Sequence, residues 1–298
     1  LANDPVGRLM LRLSIPTITA QLVNMLYNLV DRIYISYIPD VGTLALTGLG
    51  VCLPIILLVS AFAALCASSG APLASIAMGQ RNNEKAEGIL GSCTALLLCV
   101  SAVLTVVLSC FYTPILLAFG ATEDALPYAQ RYIAIYSLGT VFVQLSLGLN
   151  PFITAQGFSK AGMLTVLIGA VLNTLLDPLF IFVFHMDVQG AALATVIAEY
   201  ATLLIGLLMV RKILKLRGIS GEMLKTAWRG NFRRLLALNR DIMLRSLLLQ
   251  LCFGAITVLG ARLGSDIIAV NAVLMTLLTF TAYALDGFAY AVEAHSGQ

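Results

Sequence analysis

Five acidic residues lie inside long apolar stretches of the sequence, where a carboxylate needs a partner, water or a proton of its own. They are Asp31, Asp177, Glu199, Asp286 and Glu293. Insertion scales put the cost of an acidic side chain at the bilayer centre at about 2.5–3.5 kcal/mol. Acids in such positions predict a functional site that binds a proton or a metal cation.

Asp31 has a phenol one helical turn before it. Tyr27 precedes it by four residues, and residues four apart are neighbours on a helix surface. An ion pair with Arg32 is the alternative, but consecutive side chains point about 100° apart on a helix. We therefore expect Tyr27 and Asp31 to face the same polar site.

Asp177 lies next to a helix breaker. Asn173 is four residues earlier, and Pro178 leaves the carbonyl of Thr174 without its helical donor. An amide, a carboxylate and a free carbonyl supply oxygen ligands suited to Na⁺, or a relay for H⁺. A plain helical kink with an Asx hydrogen bond is the alternative.

Further polar residues of the apolar stretches are also candidates. Asn150 before Pro151 repeats the pairing of an amide with a helix breaker, and Thr195 can add a hydroxyl. Glu199 is about halfway along its stretch. Asp286 and Glu293 are seven residues apart and share a helical face, which makes them secondary candidates.

The composition requires lipid around most of these residues. Of the 298 residues, 59% are hydrophobic and 11% are charged, whereas soluble domains carry about 25% charged residues. The net charge of +3 is too small to suggest a nucleic-acid partner. The six cysteines show no C-x-x-C spacing and the two histidines are not clustered, so we expect no metal centre of that kind and no disulfide framework.

The apolar stretches predict an all-α membrane protein with eight transmembrane helices, because about 20 residues span a bilayer and strand-like alternation is absent. The predicted helices lie at about 9–37, 44–78, 87–117, 125–157, 161–184, 188–212, 241–262 and 267–294. We interpret 1–212 as a complete six-helix bundle and 241–298 as the first two helices of a second bundle. Met10-Leu11-Arg12 and Met243-Leu244-Arg245 open corresponding spans, a weak repeat in support of this division.

The segment 213–240 between the bundles is basic and includes Trp228. We expect a cytoplasmic linker that also touches membrane lipid, because basic interfacial segments attract anionic headgroups.

The sequence resembles the multidrug and toxic compound extrusion (MATE) transporters over its whole length. The resemblance rests on several short motifs at matching separations: Leu29-Val30-Asp31, Gly79-Gln80-Arg81-Asn82 followed by Ala86, Gln156-Gly157, the stretch from Asn173 to Pro178, and Gly190 to Thr195. The family implies two six-helix bundles around a cleft and drug efflux driven by H⁺ or Na⁺, with no other cofactor. By position, it also implies a coupling site formed by Tyr27, Asp31, Asn150, Asn173, Asp177 and Thr195.

This resemblance implies a cation-coupled antiporter in the inner (plasma) membrane that exports a small, cationic organic compound. Na⁺, if it is the coupling ion, would bind at Asp31, Asn173, Asp177 and Thr195. Up to about residue 186 the chain is most similar to the drug-extruding branch, and from about Val188 to the DNA-damage-inducible protein F branch. A chain joined between the fifth and sixth spans explains this change, and ordinary divergence is the alternative.

Other functions predict different features. A lipid-precursor flippase of related fold would have a cleft lined with cations. We expect no enzyme, because His185 and His295 fall at opposite ends of spans and cannot form a Ser-His centre; a protease pair of Asp31 and Asp177 is the one enzymatic alternative. With only two helices after residue 240, we also expect a truncated or composite chain that does not transport by itself and whose last helices either contact missing C-terminal helices or self-associate.

The distribution of basic residues predicts the orientation. With a cytoplasmic N-terminus, 15 of the 18 Lys and Arg residues face the cytoplasm, as the positive-inside rule requires. In a cysteine-free background, a Lys85→Cys variant in intact cells should react only with membrane-permeant thiol reagents. The same cysteine should react with impermeant reagents once the cells are opened, and labelling by an impermeant reagent before that would contradict this orientation.

Overall fold

The computed structural model describes residues 6–216 and isolated helical positions between Leu244 and Val292. Within residues 6–216 the chain forms six α-helices and one π-helical turn, without a strand. The α-helices are α1 (Val6–Ser36), α2 (Gly42–Gly79), α3 (Asn83–Ala118), α4 (Leu126–Ala155), α5 (Ser159–Pro178) and α6 (Asp187–Leu216), and the π-turn (Leu179–Val183) follows α5 directly. The all-α fold class predicted from the sequence is confirmed.

Five helical stretches in the described part of the chain are long and apolar enough to cross a membrane. They are Gly42–Gly79, Asn83–Ala118, Leu126–Ala155, Ser159–Val183 and Asp187–Lys212. Their bounds lie within a few residues of the predicted spans, and α1 coincides with the predicted first span. The predicted seventh and eighth helices, and the linker 213–240 beyond the end of α6, fall outside the described residues, so the count of eight and the domain boundaries stay predictions.

The short polar loops end the helices by local chemistry. The side chain of Asn82 caps α3 by accepting a hydrogen bond from the backbone N–H of Lys85 at 3.0 Å. Gly120 and Gly157, which follow α3 and α4, have φ values of +89° and +85°, a conformation that glycine adopts without strain. These local features lie where one helix ends and the next begins.

Helix α4 is the centre of the bundle and packs against α2, α3 and α6, while α1 packs mainly on α5. One buried apolar cluster joins α2, α3, α4 and the start of α6 at the end of the bundle near the α1–α2 loop and includes Cys52 and Ile133. A second cluster lies toward the α2–α3 loop and includes Cys93 and Phe152. Large apolar side chains such as Val103 and Leu175 are more than half exposed, which suits a surface in contact with lipid.

Small residues set the distance between α4 and α6. A Cβ atom added to Gly139 on α4 would lie 2.3 Å from Cγ2 of Val196 on α6. Membrane helices gain van der Waals packing energy where small residues let them approach closely. This matters because the hydrophobic effect, which drives the folding of soluble proteins, is weak between helices in lipid. The spacing of these two helices matters because both carry side chains of the polar cavity described below.

We predict that Gly139→Ala lowers the thermal unfolding midpoint of the purified chain in detergent. The added methyl meets the stiff β-branched Val196, and overpacking of this kind costs about 1–3 kcal/mol. Gly206→Ala on α6 is the matched control, since a Cβ there has nothing within 4 Å and alanine favours the helix by about 1 kcal/mol over glycine. Equal midpoints for the two variants would show that the α4–α6 contact does not limit stability.

Candidate cation site

A cavity of about 710 Å³ lies within the bundle, bounded by α1, α2, α4, α5 and α6. The polar part of its wall comes mainly from α1, α4 and α6, whereas the lining from α2 and α5 is mostly apolar. The polar and charged side chains that line it include Tyr27, Asp31, Arg32, Tyr132, Tyr136, Ser146, Asn150, Asn173, Thr195 and Glu199. The structure therefore brings five of the six predicted site residues to one cavity wall, and the sixth, Asp177, contacts the lining residue Asn173.

Asn173 connects two helices at the edge of this cavity. Its Nδ2 lies 3.4 Å from Oδ1 of Asp177 on the same helix and 3.4 Å from Oγ1 of Thr195 on α6. The Thr195 hydroxyl itself donates to the carbonyl of Ala191 at 3.0 Å. Asn173 and Asp177 are 1% and 0% exposed, so the pairing predicted from their spacing exists in a fully buried setting.

Asp31 reaches the same place from α1. It is buried, whereas Arg32 is exposed, and it lies close enough to Asp177 for the charge of one carboxylate to act on the other. The phenol of Tyr27 is within electrostatic reach of Asp31, as predicted from their spacing. Tyr132 on α4 lies near both Thr195 and Asp31, a proximity that the sequence did not reveal.

Three buried oxygens of this group have no hydrogen-bond partner among the described residues. They are Oδ1 of Asp31, Oδ1 of Asn173 and Oδ2 of Asp177. Buried polar atoms are almost always hydrogen-bonded, and each exception calls for an explanation such as a missing ion, water or proton. Three acceptors on neighbouring side chains constitute a site that a cation or a proton would satisfy.

The helix changes type at the proline that follows Asp177. At Pro178 the α-helix passes into the π-turn, in which the N–H of Phe184 donates to the carbonyl of Leu179 at 3.0 Å. Proline removes an α-helical hydrogen bond and the wider turn accommodates its ring. This is the local reason that Asp177 sits at an irregular point of its helix, where the sequence predicted a kink.

Asn150 makes a different contact from the one expected of a coupling residue. Its Nδ2 donates to Oγ1 of Thr165 at 2.7 Å and to the carbonyl of Gly162 at 3.2 Å, both on α5. It lines the same cavity but lies nearer the end of α4 that leads to the α4–α5 loop. The structure therefore gives Asn150 a role in joining α4 to α5.

Glu199 has a partner that sequence patterns could not show. Its Oε2 is hydrogen-bonded to the hydroxyl of Ser146 on α4, which is 53 positions away in the chain. The other two secondary candidates, Asp286 and Glu293, lie outside the described residues.

A bundle of apolar, membrane-length helices around a polar cavity that holds buried acids is typical of integral membrane proteins that transport solutes. The MatE family model matches residues 16–179, more than half of the chain. The chain belongs to the MATE family of membrane transporters.

Curated relatives agree with this membership. Over 179 residues, 60% of the chain and 39% of the relative, it is 72% identical to the DNA damage-inducible protein F of Escherichia coli K12. It is 27% identical to a FAD transporter of Shewanella oneidensis over 71% of the chain and 47% of that protein. Identity to the multidrug export protein MepA of Staphylococcus haemolyticus is also 27%, over 66% of the chain and 43% of that protein.

The chain thus spans less than half the length of these relatives. The match to protein F is longer than the segment from residue 188 to the end of the chain, so that similarity extends into the part before residue 188. The position at which the chain changes branch stays a prediction.

Solved structures share the fold. An outward-facing multidrug resistance MATE transporter of the MOP superfamily superposes with a TM-score of 0.78 at 22% identity, over 99% of this chain and 65% of that one. A MOP superfamily transporter from Pyrococcus furiosus, described as having a binding pocket of reverse polarity, gives a TM-score of 0.76 at 22% identity, over 97% of this chain and 63% of that one.

We predict that Asn150 and Thr165 form an energetically coupled pair. Asn150→Leu and Thr165→Val should each lower the thermal unfolding midpoint, and the double variant should cost less than the sum, because both singles remove the same hydrogen bond, worth about 0.6–1.7 kcal/mol between membrane helices. The check is a double-mutant cycle on the chain purified in detergent. Strictly additive midpoints would show that this contact does not hold α4 to α5.

Proposed function

We propose that the chain works in a secondary antiporter that exports small organic cations or drugs by alternating access, driven by H⁺ or Na⁺ bound at Asp31, Asn173, Asp177 and Thr195. The observation that carries the proposal is the set of three buried, unpartnered oxygens on Asp31, Asn173 and Asp177. Buried acids without partners are rare inside membranes and mark ion or proton pathways.

Both coupling ions fit the chemistry of this group. A proton shared near Asp31 and Asp177 would remove the repulsion between two carboxylates in a medium of low dielectric. Na⁺ would instead accept oxygens from the two carboxylates, the Asn173 amide and the Thr195 hydroxyl, and the break in the helix after Asp177 resembles the interrupted helices that bind ions in transporters. No other cofactor is part of the proposal.

Ion binding is coupled to the conformation of the bundle because the site is unfavourable when it is empty. Without an ion, two carboxylates and an amide oxygen face one another with few donors, so this packing of α1 against α5 is favoured when the ion is bound. An ion can shift a conformational equilibrium only by its difference in affinity for the two states. A site that closes well only around an ion provides that difference.

The substrate class is inferred from the cavity. A volume of about 710 Å³ lies within the usual range for sites that take small organic molecules, about 300–1,000 Å³. The apolar residues of α2 offer surface to such a molecule, and Asp31 and Glu199 supply negative charge. Arg32 is the one basic residue among the described lining residues, which favours a cationic organic compound over an anionic one.

The flippase alternative would require the opposite lining. A lipid-linked precursor with phosphate groups would be held by lysine and arginine side chains. The acids of the cavity wall outnumber its single arginine, so export of organic cations agrees better with the charge of the site.

The proposed location is the inner (plasma) membrane, with the N-terminus in the cytoplasm and membrane lipid around the bundle. Support comes from the bias of the basic residues toward one side and from the apolar, exposed outer surfaces of the helices.

We expect Asp31→Asn and Asp177→Asn each to abolish gradient-driven efflux, because either substitution removes the negative charge that attracts the ion while keeping the side-chain size. The measurement is transport of a fluorescent cationic dye by the native protein in liposomes under an imposed H⁺ or Na⁺ gradient. Dye movement should fall to the rate seen without a gradient.

Asp124→Asn is the matched control, since this carboxylate is exposed in the loop before α4 and should leave efflux unchanged. An unfolded variant is recognised by size-exclusion chromatography. Folded Asp31→Asn or Asp177→Asn protein with undiminished driven flux would remove that residue from the mechanism.

A further inference from the structure

We propose that Glu199, held by Ser146, is a second proton-binding carboxylate of the cavity, separate from the site of Asp31 and Asp177. The inference deepens the proposed function and rests on it, because it concerns the route of the coupling proton. It assigns a single bound proton to one side chain and requires no further ion.

The contact between Glu199 and Ser146 is compatible with both the ionised and the protonated form of Glu199. Ser146 Oγ is hydrogen-bonded to Oε2 of Glu199 and also lies 3.3 Å from the carbonyl oxygen of Val143. A serine hydroxyl has one hydrogen and can accept as well as donate. It can donate to an ionised Glu199, or it can turn to Val143 and accept a hydrogen bond from a protonated Glu199, so both protonation states are satisfied without movement of a helix.

The ligand count favours a proton over a metal ion at this position. A hard cation takes about six oxygen ligands in proteins, and Ser146 is the one side chain within the described residues that is hydrogen-bonded to Glu199. Around Asn173, by contrast, two carboxylates, an amide and a hydroxyl converge. The two acids of the cavity wall therefore differ in what they can bind.

The surroundings of Glu199 leave its charge unbalanced. The titratable side chains that face it from the helices packed on α6 are Tyr27 on α1 and Tyr136 on α4. Asp31 lies one turn beyond Tyr27, and Asp177 on α5 lies beside Asp31. Among the described residues the basic side chain of the cavity is Arg32, which is exposed and next to Asp31, so Glu199 has no neutralising cation of its own.

A polar route joins the two acidic positions. Glu199 follows Thr195 by one turn of α6, a distance of about 6 Å along the helix axis, and Thr195 belongs to the first site. Tyr27 is within electrostatic reach of both Asp31 and Glu199. Since all of these except Asp177 line one cavity, water in that cavity can bridge the remaining gaps. A proton released at Asp31 and Asp177 can thus move toward the middle of the bundle and rest on Glu199.

Infrared difference spectroscopy of the native protein tests this assignment, because a protonated carboxyl group has its own C=O stretching band. We expect a pH-dependent carboxyl band that persists in an Asp31→Asn, Asp177→Asn double variant and is absent from Glu199→Gln. Ser146→Ala should shift that band to higher frequency, since a carboxyl group that loses a hydrogen bond has a stiffer C=O bond. Glu123→Gln, at an exposed loop residue, is the control and should leave the band unchanged.

The outcomes separate this inference from the proposed function. A pH-dependent band that is the same in wild type and Glu199→Gln would overturn the assignment, whatever the transport assay of Asp31→Asn gives. If Glu199→Gln does not fold, Glu199→Asp keeps the carboxyl group but withdraws it from Ser146, and its band should shift in frequency as in Ser146→Ala. An unshifted band in folded Glu199→Asp would equally contradict the role of the Ser146 contact.

Discussion

The structure depends on the cost of burying carboxylates inside a bundle of apolar helices. An acid at that depth must be neutralised by a proton, by a cation or by hydrogen-bond donors. Within residues 6–216 the bundle provides few donors: Asn173 contacts Asp177 at the long distance of 3.4 Å, and one oxygen of Asp31 and one of Asp177 have no partner in that range. The acids thus keep carboxylate oxygens that a proton or a cation could still satisfy. If every oxygen already had a hydrogen-bond donor, no such position would remain.

The rest of the bundle maintains that incomplete network. Helix α4 lies at the centre and is fixed to its neighbours by buried side-chain hydrogen bonds, such as that from Gln144 to the carbonyl of Val59 at 2.7 Å. Its contact with α6 at Gly139 and Val196 leaves no room for a larger side chain. These contacts hold the helices close together, so the two acids lie near each other in this packing.

The sequence was a good guide to everything local. Helix bounds followed from the length of the apolar runs and the turn residues between them, and the pairing of Asn173 with Asp177 followed from their spacing of four on one helix. Family resemblance brought Thr195 to the same site. The contacts of Ser146 with Glu199 and of Asn150 with Thr165 could not be predicted, because each joins two helices whose relative rotation and depth are set by packing. Asn150 is an example: its residue type suits an ion ligand, and only the packing of α4 on α5 reveals that its amide also bonds to Thr165.

The π-turn at Leu179–Val183 gives this bundle a point of low bending stiffness. An α-helix resists bending through its regular ladder of hydrogen bonds, and that ladder is interrupted where Pro178 supplies no N–H and the following turn is wider. The last turns of this span can therefore tilt against the remainder of α5 at less cost than elsewhere along the helix. Asp177 directly precedes this point. A bend of the helix there would therefore move the Asp177 carboxylate relative to its neighbours.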